Sequence, residues 1–140
     1  MKDKYFIDTN LFVYTFDAQA KGKNKIATQL ITNALEKNIG VISYQVLQEF
    51  LNVATRKFIS PLSPTDAEAY LKQVLSPLCE IYPSDELYIS ALLISGENSY
   101  SFYDSLIIAA AIESKCSILY TEDLQHNQRI AGLTIINPFI

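Results

Sequence analysis

Four acidic residues lie in or beside apolar segments of this 140-residue chain. They are Asp8, Glu49, Asp104 and Asp123. Carboxylates that are brought close together repel one another unless they are protonated or neutralised by a cation. A set of oxygen ligands without Cys or His selects hard ions such as Mg²⁺ or Mn²⁺. Because such ions promote hydrolysis of phosphodiester bonds, cleavage of a nucleic acid is a plausible reaction for this set of acids.

Two of these acids directly follow predicted strands. Asp8 comes after the apolar run at 5–7, and Asp123 comes shortly after the run at 117–121. If the two strands are parallel, both carboxylates emerge at the edge where open α/β sheets form their ligand crevice. Each can equally be a turn residue or the cap of the helix that follows it. The spacing alone leaves both interpretations open.

The other two acids lie in predicted helices. Glu49 is next to Phe50 on a helix whose apolar residues define an inner face, so we expect it near the buried side. Asp104 follows Ser101 by three positions, as in a capping box, and a negative charge is favoured at that end of a helix. Taken alone, the spacing favours a capping role for Asp104.

Short apolar runs alternate with helical patterns along the chain, which is typical of an α/β domain with a mainly parallel sheet. We predict strands at 5–7, 40–43, 79–82, 117–121 and 134–136. Helices are predicted around residues 26–35, 44–56, 64–75, 85–96 and 101–112. Ser43 is expected to cap the second of these helices.

Composition indicates one folded domain spanning 1–140, since 49% of the residues are hydrophobic and only 19% are charged. No apolar stretch approaches the roughly 20 residues of a membrane-spanning helix, and the N-terminus lacks a secretory signal. We therefore expect a cytoplasmic protein with no membrane partner. Cys79 and Cys116 have no metal-binding spacing and are expected to be reduced and semi-buried.

The four acids lie in segments that match a known family. These are Ile7-Asp8-Thr9-Asn10, Gln48-Glu49-Phe50, the helix from Tyr103-Asp104 to Ala111, and Leu119-Tyr120-Thr121-Glu122-Asp123-Leu124. With them in this order, the sequence resembles the PIN-domain ribonucleases. The segment Ile136-Asn137-Pro138-Phe139 also resembles the closing segment of VapC-type toxins of type II toxin–antitoxin pairs.

The resemblance implies a three-layer α/β/α fold around a five-stranded parallel sheet of order 3-2-1-4-5. By the same likeness, Asp8, Glu49, Asp104 and Asp123 bind Mg²⁺ or Mn²⁺ and are the catalytic residues. Asn10 and Thr121 are implied as polar supports of the site. The implied activity is endonucleolytic hydrolysis of RNA that leaves 5′-phosphate and 3′-hydroxyl ends.

The implied partners are a small antitoxin protein and a second copy of the chain in a homodimer. An exposed aliphatic surface of Leu47, Leu51 and Phe58 near the Glu49 helix is expected, and it is a possible docking place for the antitoxin. Two other functions stay open. One is a PIN nuclease of RNA processing or decay without an antitoxin, and the other is a catalytically silent binding module.

The net charge of −4 argues against a nucleic-acid partner when it is taken alone. If the four acids bind cations, however, the remaining surface is neutral overall. Basic candidates for contact with RNA phosphates lie in two groups: Lys21, Lys23 and Lys25, in a predicted loop, and Arg56 and Lys57 at the end of the Glu49 helix. Glu122 departs from the family pattern, and we expect its side chain to point to solvent rather than to join the acids.

Overall fold

The computed structural model, which describes residues 3–140, is organised around a six-stranded sheet. The strands are β1 (Tyr5–Ile7), β2 (Gly40–Ser43), β3 (Cys79–Ile81), β4 (Ile118–Tyr120), β5 (Arg129–Ile130) and β6 (Leu133–Ile136). Their order is β3-β2-β1-β4-β6-β5. The five predicted strands are present in the predicted order, with β6 as the last of them. The additional β5 has only two residues and pairs antiparallel with β6, and so short a strand leaves no apolar pattern in the sequence.

The central strand β1 is parallel to both of its neighbours. Tyr5 is in register with Gly40 of β2 and with Ile118 of β4. The backbone N–H of Asp8 extends the pairing with β4 by donating to the Tyr120 carbonyl at 3.0 Å. The carboxyl ends of β1 and β4 therefore lie side by side, as the sequence predicts.

In the described part of the chain, residues 3–140, seven helices connect these strands. They are α1 (Thr9–Tyr14), α2 (Lys21–Lys37), α3 (Tyr44–Arg56), α4 (Pro64–Tyr70), α5 (Ser76–Leu78), α6 (Asp85–Asn98) and α7 (Phe102–Glu113). A π-helical turn, Leu71–Leu75, joins α4 to α5. The short helix α1 is an addition to the predicted elements. Ser43 occupies the N-cap position of α3, but its side chain makes no capping hydrogen bond, so the predicted cap is wrong.

Helices cover both faces of the sheet, which gives three layers. Phe6 and Ile7 are adjacent in β1 and point to opposite faces, and both are completely buried. Helix α7 is surrounded by other parts of the protein on nearly all sides, because every residue from Ser105 to Ala111 is buried. Both cysteines are also buried. Within residues 3–140, no helix combines the length and the apolar character that crossing a membrane requires.

Candidate active site

Asp8 lies at the junction of β1 and α1, where it has two hydrogen-bonded neighbours. Its Oδ1 accepts from the backbone N–H of Thr9 at 2.7 Å, which makes Asp8 the N-cap of α1. Its Oδ2 accepts from the Thr121 hydroxyl at 2.7 Å. Thr121 is completely buried directly after β4, so it supports Asp8 from behind. The two sequence interpretations of Asp8, helix cap and site acid, are compatible.

Glu49 is held at both of its carboxylate oxygens. The Thr9 hydroxyl donates to Oε1 at 2.6 Å, and the Gln45 side-chain amide donates to Oε2 at 3.2 Å. The same amide group of Gln45 also donates to the Tyr103 carbonyl at 3.3 Å. Glu49 is thereby connected to the end of β1 and to the start of α7.

Asp123 and Asp104 complete the acidic set. The Asn10 side-chain amide donates to Oδ2 of Asp123 at 3.0 Å, and the backbone N–H of Asp123 donates to the Thr121 hydroxyl at 3.2 Å. Asp104 lies in the first turn of α7, where its backbone N–H donates to the Ser101 hydroxyl at 3.1 Å. The predicted capping arrangement is therefore present and leaves the Asp104 carboxylate free to face its neighbours.

All four acids line one cleft of about 330 Å³ at the carboxyl edge of the sheet. The other lining residues are Thr9, Asn10, Gln45, Asn52, Val53, Lys57, Tyr103 and Ile107. The acids come from four separate parts of the chain: the ends of β1 and β4, and the helices α3 and α7. The fold thus brings together the four acids and Asn10 that the sequence singles out, with Thr121 beneath them.

Burial and nearby negative charges raise the pKa of two acids in the cleft, Asp8 and Asp123. Burial raises the pKa of Asp8 to about 6, with further increases from Glu49 and Asp123, although hydrogen bonds from Thr121 and Thr9 oppose the change. Burial also raises the pKa of Asp123, and the negative charges of Glu122, Asp104 and Glu49 act in the same direction. A cation in the cleft would relieve this repulsion.

The chemistry of these donors fits a hard divalent ion, because the acids present only oxygen atoms. These acids lie farther apart than the ligands of a complete coordination shell. Across residues 3–140, no three His, Cys, Asp or Glu side chains are gathered closely enough to hold a metal ion. Mg²⁺ commonly keeps several water ligands, so one or two of these carboxylates are enough to hold it.

Comparison with known proteins identifies the family of this fold. The PIN domain family model matches residues 5–132. This chain belongs to the PIN domain family. No curated protein sequence matches the chain significantly.

Three solved structures with this PIN fold cover most of the chain. A toxin–antitoxin complex from Klebsiella pneumoniae is 20% identical, with a TM-score of 0.68 over 96% of this chain and 98% of that chain. DNA-bound VapBC from Salmonella typhimurium is 21% identical, with a TM-score of 0.67 over 96% and 97% of the two chains. VapC20 from Mycobacterium tuberculosis, a toxin that cleaves the sarcin-ricin loop, is 22% identical, with a TM-score of 0.62 over 86% and 90%. At these identities the likeness establishes the fold.

The basic residues of this PIN domain differ in their relation to the cleft. Within residues 3–140, Lys57 is the one basic residue that lines it. Lys21 and Lys25 are exposed in the first turns of α2, which replaces the predicted loop. Arg56 is exposed at the end of α3, beside Lys57.

Lys23 is part of a separate polar cluster. Its ammonium forms an ion pair with Glu122 at 2.9 Å and donates to the Tyr14 hydroxyl at 3.2 Å. Tyr14 in turn donates to Glu122. Glu122 therefore neither joins the acids of the cleft nor points freely to solvent, so the expected orientation is wrong. The pairing also means that contact of Lys23 with an RNA phosphate would compete with Glu122.

Three polar side chains at the cleft go beyond the predicted set: Thr9, Gln45 and Asn52. The signal for Gln45 is its position four residues before Glu49, which places the two on one face of α3. The sequence signal for Thr9 is weaker. Its position after the end of β1 is visible in the sequence, but its contact with Glu49 on helix α3 is not. Asn52 is exposed and lies one turn beyond Glu49.

The raised pKa of Asp8 predicts a pH-dependent stability of the metal-free PIN domain. In the unfolded chain this carboxyl has an ordinary pKa of 3.8, whereas in the folded state it is about 6. The folded state therefore takes up the proton first as the pH falls, and stability increases between pH 7 and pH 4. We expect chelator-treated wild type to gain about 1–2 kcal/mol more than Asp8→Asn between pH 7 and pH 5.

Urea unfolding of both proteins at the two pH values measures this difference. Comparison with Asp8→Asn removes contributions from other groups, including the Lys23–Glu122 pair. Equal changes in the free energy of unfolding of wild type and variant would show that the pKa of Asp8 is not raised in the folded state.

Proposed function

We propose that this PIN domain is a Mg²⁺- or Mn²⁺-dependent endoribonuclease that hydrolyses RNA phosphodiester bonds. The observation that carries the proposal is the convergence of Asp8, Glu49, Asp104 and Asp123 on one cleft, with the pKa of Asp8 raised to about 6. An uncompensated cluster of this kind is unfavourable for stability, which is typical of a site that binds a charged partner. A divalent cation is the partner that suits these oxygen ligands.

The roles of the residues follow from their contacts. Asp8, Glu49, Asp104 and Asp123 would hold the ion, which when bound supplies the positive charge that polarises a phosphoryl group and activates water. Thr121, Thr9, Gln45 and Asn10 donate hydrogen bonds to these carboxylates and so restrict their rotation. Lys57 places the positive charge at the rim that an RNA phosphate requires.

The first experiment that tests the proposal measures thermal stability and cleavage together. We expect Mn²⁺ to raise the melting temperature of chelator-treated wild type by several degrees, because the ion binds the folded state and relieves repulsion. The rise should be much smaller in Asp8→Asn. Wild type with Mn²⁺ should also cut a pool of single-stranded RNA into fragments with 5′-phosphate ends, and a chelator should stop the reaction.

Two outcomes would contradict the proposal. If wild type and Asp8→Asn respond equally to Mn²⁺, the cleft is not the metal site. If neither stability nor RNA integrity changes, the acids serve as caps and turn residues, and the alternative of a catalytically silent binding module is correct.

We further propose that the chain acts in the cytoplasm as the toxin of a toxin–antitoxin pair. Support comes from its structural neighbours, which include toxin–antitoxin complexes. On this chain, a groove beside the acidic cleft is lined by Val13, Phe16, Phe58 and Ile59 and reaches Lys57. Leu47, Leu51 and Phe58 are half-buried and packed against the core rather than fully exposed. A small neighbouring gene whose product co-purifies with the chain would distinguish this function from a nuclease of RNA processing.

A homodimer is the second association that we propose, through the outer face of α6. Ile89, Leu92 and Leu93 share that face and are each about 60% exposed. We expect the double substitution Leu92→Asp, Leu93→Asp to weaken self-association by about 100-fold or more, because two unpaired charges would be buried in the interface. Sedimentation velocity over a concentration series measures this change. Gln29→Asp on the exposed surface of α2 is the control, and equal association of all three proteins would exclude α6 as the interface.

A further inference from the structure

A second cavity of about 330 Å³ adjoins the acidic cleft. It lies among the ends of β2 and β3 and the first turns of α3, α6 and α7. Gln45 and Tyr103 line both cavities, so the two are adjacent. The aromatic residues of the second cavity, which we term the tyrosine pocket, are Tyr44, Tyr82, Tyr88, Phe102 and Tyr103.

Two residues that line the tyrosine pocket each have a buried polar atom without a hydrogen-bond partner among the described residues 3–140. The first is the Ser43 hydroxyl, on a side chain that is 97% buried because its residue is 3% exposed. Ser43 occupies the N-cap of α3, where a serine hydroxyl ordinarily accepts a backbone N–H, yet it makes no such bond. A buried hydroxyl without a partner costs about 1–3 kcal/mol.

The second atom is Oε1 of Gln45, which is buried and also lacks a partner. Its orientation is determined by the other end of the amide, whose Nε2 donates to Glu49 and to the Tyr103 carbonyl. A flipped amide would direct Oε1 at two acceptors, so the oxygen stays turned away from Glu49. The wall of the pocket thus holds one acceptor, Gln45 Oε1, and one hydroxyl that can donate or accept, Ser43 Oγ, whose bonding capacity is unused within the described residues.

The lining of the tyrosine pocket indicates the kind of ligand. None of the described residues that line it is charged, so it does not suit a phosphate or a peptide carboxylate. Tyr82 is 56% exposed, and its ring lies 5.8 Å from that of Tyr44. Exposed aromatic rings stack on flat, uncharged ring systems, and a nucleobase adds N–H and carbonyl groups at its edge.

We infer that the tyrosine pocket binds one unstacked nucleobase of single-stranded RNA, next to the phosphate that lies in the acidic cleft. This inference rests on the proposed ribonuclease function. Tyr82 and Tyr44 provide the stacking surface, while Gln45 Oε1 accepts an N–H of the base and Ser43 Oγ bonds to its edge. Because Gln45 also holds Glu49, occupation of the pocket is connected to the position of one acid of the cleft.

Binding of short RNA in the presence of a chelator tests the inference without any need for cleavage. The probes are fluorescently labelled RNA pentamers of A, C, G or U and a pentamer of abasic ribose, with affinity measured by anisotropy. We expect at least one base-containing pentamer to bind about tenfold more tightly than the abasic pentamer. Tyr82→Leu and Ser43→Ala should remove most of this difference.

Two matched variants serve as controls. Ser105→Ala removes another completely buried hydroxyl that has no partner in the described chain but does not line the pocket. Phe16→Leu replaces an aromatic residue that is also partly exposed and lies outside the pocket. Both should keep the preference for bases over abasic ribose. Equal binding of base-containing and abasic pentamers by wild type would overturn the inference.

Cleavage of an RNA pool in Mn²⁺ separates failure of the pocket from failure of the proposed function. If wild type binds bases but does not cut RNA, the function fails and the pocket stands. If wild type cuts RNA with no base preference beside the cut, and Tyr82→Leu does the same, the pocket assignment is wrong. Sedimentation velocity of Tyr82→Leu tests whether a second copy of the chain occupies the pocket instead. Weaker self-association with an unchanged preference for bases would assign the pocket to that second copy.

Discussion

We expect Asp104→Asn to lower the rate of Mn²⁺-dependent RNA cleavage by about 100-fold or more while the protein stays folded. The substitution keeps the size of the side chain and removes one negative charge from the cleft. The backbone N–H of residue 104 still donates to the Ser101 hydroxyl, so the N-terminus of α7 keeps its cap. The loss therefore reports on the charge of the carboxylate at the cleft and not on the helix.

The chain provides a close structural control in α4. There the backbone N–H of Asp66 donates to the Ser63 hydroxyl at 3.1 Å, which is the same arrangement as at Ser101 and Asp104. Asp66 does not line the acidic cleft. Asp66→Asn should therefore cleave RNA at the wild-type rate, measured as initial rates on the same substrate. Full activity of Asp104→Asn would remove Asp104 from the site and leave it with only a capping role.

The second large effect concerns the fold itself. A Cβ atom on Gly40 would lie 2.2 Å from Cβ of Ala34 and 3.2 Å from its Cα. Gly40 begins β2, and Ala34 is a completely buried residue of α2, so relief of the clash requires the helix to move away from the sheet. We expect Gly40→Ala to lower the free energy of unfolding by about 3 kcal/mol, as overpacking in a core does.

Urea unfolding followed by circular dichroism measures this loss. Gly96→Ala is the control, because a Cβ at that helical position meets nothing within 4 Å. It should leave stability unchanged or raise it by up to about 1 kcal/mol, through the higher helix propensity of Ala. Equal stabilities of the two variants would show that α2 and β2 are not packed as closely as described.

The parallel arrangement of the strands could be predicted because short apolar runs alternate with helical patterns along the chain, whereas the order of the strands is implied by the resemblance to PIN-domain ribonucleases. Parallel strands joined in this way place their carboxyl ends at one edge, which brings Asp8 and the segment after β4 together. Features that depend on single contacts could not be predicted in the same way. The two residues of β5 form a strand only because β6 lies beside them. The uncapped hydroxyl of Ser43 likewise contradicts a local rule that its sequence position satisfies.

In the candidate site, too, the sequence pattern indicates the acidic residues but not the side chains that contact them. Asp8, Glu49, Asp104 and Asp123 could be selected because acids beside apolar segments are uncommon unless they have a role. The partner of Lys23 could not be selected, because Glu122 lies 99 residues away along the chain. The polar bonds that orient Glu49 come from Thr9 and Gln45, two residue types that are common on protein surfaces.

The pairing of β1 with β4 also determines when the cleft can exist during synthesis of the protein. The Thr121–Asp8 and Asn10–Asp123 hydrogen bonds each join residues that are 113 positions apart. Contacts of such long range form late, after most of the chain is available to fold. A nascent chain that has emerged only as far as α6 can pair β1 with β2 but has neither β4 nor two of the four acids. A ribosome that makes this protein is thus not exposed to a complete acidic cleft until nearly the whole chain has emerged.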